Sequence, residues 1–234
     1  ERERTQRWRT GIRVSADASP CFGIYGTFSV PVDWPEQDVK VVEENISDVV
    51  TRTRYRKLQH GVRQMLFAIS RLERGEKAEV TVTFEITRRT RLVPTDTTRY
   101  RLPETMPREA RAWLVSSPKI DCRSGRIRRK AEELIAEKET AWQKIKAIHH
   151  WVKENIKHTN DPLKGAVETL EDKAGTHEDL AGLFIALCRA GKIPARTVWV
   201  PGYCYAEFYL EDEQEEKGSW FPCEFKEKTE FGTV

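Results

Sequence analysis

Residues 170–196 read LEDKAGTHEDLAGLFIALCRAGKIPAR. Leu180, Leu183, Phe184, Leu187 and Cys188 recur at helical spacing, so a helix is predicted to begin near His177. Gly191 and Pro194 stop it, because glycine suits the residue past a helix end and proline cannot continue one. The stretch 196–200 then reads as a strand, as do 204–210 and 220–225. Helices followed by an antiparallel run of strands define an α+β domain.

Upstream, the helical period continues. Ile127, Ala131, Leu134 and Ile135 share one face, with Ser124 as a plausible N-cap. Ala141, Ile145, Ile148, Val152 and Ile156 share another, with Thr140 near the start and Pro162 after the end.

The first hundred residues have period two instead. Val80, Val82, Phe84 and Ile86 alternate with Thr81, Thr83, Glu85 and Thr87, which gives one buried and one wet face. The stretch 62–69 is a more apolar strand, and Arg74-Gly75-Glu76 between the two reads as a hairpin-like turn. The stretches 22–32 and 49–58 are further strands; Pro31 and Pro35 place the former at an edge. Serial short strands predict a β-sandwich over 1–105, ahead of an α+β domain over 106–234. The boundary is set in the proline-rich segment from Pro94 to Pro118.

With 38% hydrophobic residues in 234, the chain can build real cores, so disorder is excluded. Its 40 basic and 37 acidic residues are interspersed, a balance that gives no nucleic-acid signal. No apolar run reaches the roughly 18 residues of a membrane span. The chain begins at Glu1 without a Met and reads as a fragment truncated at its C-terminus, which leaves its compartment open and is compatible with an extracytoplasmic one. The five cysteines, Cys21, Cys122, Cys188, Cys204 and Cys223, show no CxxC spacing and suggest neither zinc nor a disulfide scaffold.

The decisive segment resembles the core of the transglutaminase-like superfamily, in the papain-type class of cysteine enzymes. There a Gly-x-Cys opens the central helix, which continues as Ala-x-Leu-Phe-x-Ala-Leu-x-Arg before a Gly-Ile-Pro-Ala-Arg turn. Here the counterparts are Gly175-Thr176-His177, Ala181-Gly182-Leu183-Phe184, Ala186-Leu187-Cys188-Arg189 and Ile193-Pro194-Ala195-Arg196. Trp151-Val152 and Asn155-Ile156 match the preceding helix, and the likeness spans roughly residues 113–226.

The resemblance implies a Cys nucleophile at the helix N-terminus, a His on one strand and an Asp on the next. At those places stand His177, Tyr203 and Glu224, within Tyr203-Cys204-Tyr205-Ala206-Glu207 and Trp220-Phe221-Pro222-Cys223-Glu224. With all three triad residues exchanged, no catalytic residue is expected. The expected function is a pseudoenzyme whose cleft binds an extended polypeptide or another protein as a scaffold. The alternative is a cysteine peptidase or amide hydrolase with a substitute nucleophile such as Cys204, or a metal-assisted hydrolase. No cofactor is implied. Two or three groups at His177, Glu224 and Tyr203 fall short of a convincing metal site.

If Tyr203 faces Glu224, opposed positions sum to 427, and Cys204 and Cys223 become cross-strand neighbours. Cys188 reads as an inert core thiol. The tandem His149-His150 projects in two directions and does not share a metal. Arg189 and Arg196 are read as ties to nearby carboxylates, and 211–217 (EDEQEEK) as a solvated hairpin tip.

Overall fold

The structure, a computed structural model, describes residues 3–34, 36–58, 61–89, 93–200, 202–215, 217–226, 229 and 231–232. Pro35, invoked above as a strand boundary, lies outside them, as does Glu216 of the acidic segment. The chain divides into two compact units, Glu1–Arg91 and Leu92–Val234. The division falls ahead of the 105/106 boundary read from the prolines, because the strand Tyr100–Arg101 pairs within the second unit.

Unit one holds six strands: β1 (Glu3–Ser15), β2 (Cys21–Val30), β3 (Gln37–Ile46), β4 (Arg52–Lys57), β5 (Arg63–Leu72) and β6 (Lys77–Arg89). They form two antiparallel sheets ordered β1-β6-β3 and β2-β5-β4. The buried faces of both sheets, including Met65, Phe67 and Ile69 of β5 and Val80, Val82 and Phe84 of β6, share one core, which makes the unit a sandwich. The predicted alternation of β6 holds for most of the strand: its apolar positions are almost fully buried, while Thr83, Glu85 and Thr87 are partly exposed; Thr81, read as wet, is buried, because β1 and β3 flank it on both sides.

The turn at Gly75 is no hairpin. Gly75 adopts φ +79° and Glu76 N–H closes onto the Glu73 carbonyl. The strands it joins pair in different sheets, so it is a corner between layers. A sequence turn fixes the reversal of the chain but not which neighbour each strand then finds. β1 and β3 were not read from the sequence, although Trp8, Ile12 and Val14 in β1 alternate as a half-buried strand requires.

Unit two adds β7 (Tyr100–Arg101), α1 (Arg108–Arg111), α2 (Gly125–Ile135), α3 (Ala141–Asn155), β8 (Lys157–His158), α4 (Ala166–Asp172), β9 (Ala174–Gly175), α5 (His177–Ala190), β10 (Ala195–Val200), β11 (Tyr203–Asp212) and β12 (Lys217–Cys223). The sheet is ordered β10-β11-β12, with β7 extending it along β11. α5 is its keystone, since the residues from Asp179 to Arg189 are all buried. A helix apolar on all sides belongs inside a core. Trp142 of α3 meets Tyr100, Phe208 and Phe221 at centroid distances of 6.0, 5.6 and 5.3 Å, which ties helix to sheet. The whole is an α+β fold. Among the described residues no helix is long and apolar enough to cross a membrane.

Two arginine and loop readings change in detail. Arg189 reaches no carboxylate among the described residues: it donates to the carbonyls of Ala195 (2.9 Å) and Val115 (2.7 Å) and to Ser117 Oγ (3.1 Å). Arg196 does pair with Glu207, at 2.7 Å. Asp212, in the acidic segment, is buried against Arg99, and Arg101 approaches Glu211 and Glu213, so that end of β11 is an ion-pair network.

Candidate functional site

α5 begins with a reciprocal cap. Thr176 Oγ1 accepts the Asp179 N–H (3.2 Å), and Asp179 Oδ2 accepts the Thr176 N–H (3.0 Å) and its hydroxyl (2.9 Å). The second oxygen of Asp179 accepts the N–H groups of Gly165 (2.8 Å) and Lys164 (3.0 Å). Burial pushes the Asp179 carboxyl up, but these donors outweigh it and hold the group below its usual range. Gly175 is required here, because a Cβ on it would lie 2.6 Å from Cβ of Asp179. The cap therefore fixes the residue that follows it, His177, as the first of the helix.

β8 pairs parallel with β9, with His158 beside Gly175. This lays the His158 ring on the His177 ring, centroids 3.9 Å apart and 29° from parallel. On its other side His177 meets Tyr203 edge to face, at 5.7 Å. The Lys226 ammonium lies 4.0 Å from the Tyr203 ring centroid. It also pairs with Glu224, whose carboxylate accepts from the Tyr203 hydroxyl and, at 3.1 Å, from Thr229 Oγ1. Glu224 is 4% exposed, and its carbonyl accepts His149 Nε2–H at 2.8 Å.

The structure thus brings His177, Tyr203 and Glu224 into one cluster, together with His158 and Lys226. Sequence reading missed the last two. His158 follows a helix end and reaches the site only through a two-residue parallel pairing, which leaves no local pattern. Lys226 lies two residues past Glu224, in sequence that continues no strand.

The register differs from the sequence-derived one. Ala206 faces Cys223 and Phe208 faces Phe221, so opposed positions sum to 429 rather than 427. Cys204 and Cys223 are consequently not opposed; both are free, buried thiols. Tyr203 stands diagonal to Glu224. Diagonal neighbours on a sheet are about 7–8 Å apart, within reach of a tyrosine and a glutamate.

Electrostatically the cluster is quiet. Burial foremost, then the neighbouring His158 and Lys226, lowers the His177 pKa, so its ring is neutral near pH 7. Its Nδ1 is buried with no hydrogen-bond partner among the described residues. Burial and Glu224 raise the Tyr203 phenol far above its ordinary value. Burial pushes Glu224 up, but Lys226, Tyr203 and Thr229 together hold it low and ionised. Cys204 is raised to about 11 by burial and by Glu178. The thiols of Cys188 and Cys223 lie in the core and are pushed well above their ordinary value. His149 is buried and His150 exposed, so the tandem pair diverges. No three His, Cys, Asp or Glu groups converge as metal ligands among the described residues.

Residues 128–225 match the family described as the transglutaminase-like superfamily. The match lies within the second unit, so residues 128–225 are similar to the core of that superfamily. A solved structure of a candidate cysteine protease from Cytophaga hutchinsonii superposes over 96% of this chain and 79% of its own, with TM-score 0.63 and 18% identity. At that identity the likeness concerns the fold. A candidate protease from Parabacteroides distasonis aligns over 91% of this chain and 42% of its own at 13% identity, and its TM-score of 0.37 is too low to bear on the fold. No curated protein matches the chain significantly.

Proposed function

We propose that this chain is a non-catalytic transglutaminase-like module that binds an extended polypeptide segment at the His177 cleft. One observation carries the reading: the first residue of α5, where the superfamily places its thiol, is a neutral imidazole stacked on a second imidazole. Among the described residues beside it, neither the phenol nor the thiol is set up as a nucleophile near neutral pH. The Tyr203 phenol is raised, and Cys204, raised to about 11, is 5% exposed. A thiol with that pKa holds on the order of one thiolate in ten thousand at pH 7.

The polypeptide character is supported by the sheet margin beside the cluster. β10 is an edge strand. Its Trp199 is 66% exposed, and Val200 pairs with Tyr203. An open strand edge next to an exposed indole suits an extended chain, which gains affinity from the backbone and specificity from side-chain contacts.

Two measurements test the two halves. Alkylation of the native chain near pH 7.5 is expected to modify none of the buried cysteines quickly, with no turnover of peptide or amide substrates. Rapid stoichiometric labelling of Cys204 accompanied by turnover would support a substitute-nucleophile enzyme instead. Peptides selected on the intact protein from a random display library are expected to bind at least severalfold more weakly to the Trp199→Ala and His177→Ala variants. Selected peptides indifferent to both variants sink the cleft as the binding site.

A further inference from the structure

Several arginines of unit one are held by carboxylates and several are not. Arg7, Arg9, Arg13, Arg71 and Arg89 each approach a carboxylate, respectively Glu85, Glu43, Glu79, Glu73 and Asp38. Arg52, Arg54 and Arg56 reach none among the described residues; Arg56 donates only to Gln64 Oε1, at 2.9 Å. All three are exposed and occupy alternate positions of β4. In register they stand beside Ala68, Leu66 and Gln64 of β5, on the side of the sheet away from buried Met65 and Phe67. No acidic side chain interrupts these rungs.

β4 is also an edge. It pairs only with β5, and among the described residues none of its backbone groups bonds on the other side. Alternate residues of a strand are about 6.8 Å apart. An added strand has the same repeat, so carboxylates at its alternate positions would meet the three guanidiniums one to one, in the side-by-side geometry of cross-strand pairs. Guanidinium is suited to this, since its planar fork matches a carboxylate. The same row repels a second copy of β4, because like charges directly opposed are unfavourable. The charges therefore reject self-pairing while admitting an acidic partner. A single-stranded nucleic acid fits less well: it needs aromatic rings along the cationic row, and Tyr25, the ring on the Ala68 rung, lies on the far strand β2.

We propose that the free edge of β4 is a docking site for an extended acidic polypeptide, added as a further strand with Asp or Glu at alternate positions against Arg52, Arg54 and Arg56. This strand belongs to unit one and His177 to unit two, so the proposal does not rest on the reading of the His177 site.

The test uses the whole chain and a fluorescent peptide of about ten residues alternating Glu and Thr, read by anisotropy at low salt. Binding is expected for this peptide and not for its Lys–Thr counterpart, and it should weaken as salt rises. Arg52→Gln, Arg54→Gln and Arg56→Gln together should weaken it about tenfold or more, as three exposed ion pairs allow. Arg54→Gln alone should give a smaller loss, which keeps the test readable if the triple variant misfolds. A Glu–Thr peptide N-methylated on alternate residues should lose binding, because it cannot join a ladder. Equal affinity of the methylated peptide, tighter binding of oligothymidylate, an unchanged Kd in the arginine variants, or no binding at all would each overturn the proposal.

Discussion

His149 sits 1% exposed among Phe184, Phe225 and Phe231, with ring centroids 6.3, 5.0 and 5.1 Å away. Its Nε2–H is spent on the Glu224 carbonyl, and its Nδ1 has no partner among the described residues. Burial lowers its pKa from 6.5 to about 4. The unfolded chain therefore takes up a proton there that the folded chain refuses. Stability is full above about pH 6.5, falls as pH drops below it, and stops falling from this group below about pH 4. Each pKa unit is worth about 1.4 kcal/mol, so urea unfolding should give about 2 kcal/mol less stability at pH 5 than at pH 7.5 from this residue. The His149→Gln variant should flatten that dependence. An unchanged slope would mean that other groups govern the acid limb. The tandem His149-His150 reading had the two rings project in two directions, but the sequence offered no way to see that one of them is a buried brace for Glu224, a member of the His177 cluster.

At the scale of elements, the N-terminus of α5 is anchored by Asp179. One carboxylate closes the capping box and also satisfies two N–H groups from the segment ahead of α4, so α4 and α5 are pinned at one point. Asp179→Ala would strand several buried donors, and the cost should be about 3 kcal/mol or more in chemical denaturation. A loss below about 1 kcal/mol would show that water replaces the carboxylate. The legible part of the site lay in this element. The spacing from Gly175 to Arg196 located the helix start, its burial and its stop, because period and punctuation are local properties. The β11–β12 register was not legible: Tyr203 and Glu224 do meet, but diagonally, since the hairpin length and not the motif sets the sum of opposed positions. Nor was His158, whose place depends on a two-residue parallel pairing between segments that lie 17 residues apart in the chain.

For the whole molecule, each unit has a core of its own, with Phe84 fully buried in one and Trp142 5% exposed in the other. Phe84→Ala and Trp142→Ala should each cost about 3–5 kcal/mol. Hydrogen exchange should record the loss within the unit that holds the substitution, in β6 and its neighbours for the first and in α3, α5 and β11 for the second. Loss of protection spreading across both units from either change would contradict separate cores. The α+β class and the order of strands before helices were readable from the change of period near Pro118. The boundary itself was not, because prolines mark where the chain turns and not where its contacts divide.

The two central strands of the sandwich, β5 and β6, are the last of its six in chain order. On a ribosome, β1, β2, β3 and β4 would emerge with their pairing partners still unmade, and neither sheet could close until residues 63–89 had left the exit tunnel. At about 5–20 residues per second that is a wait of seconds, spent by exposed strands that could pair with neighbouring nascent chains. The charge carried by β1 and β4 is then a safeguard for synthesis as much as a property of the finished surface, and non-local pairing of this kind folds slowly, in milliseconds to seconds.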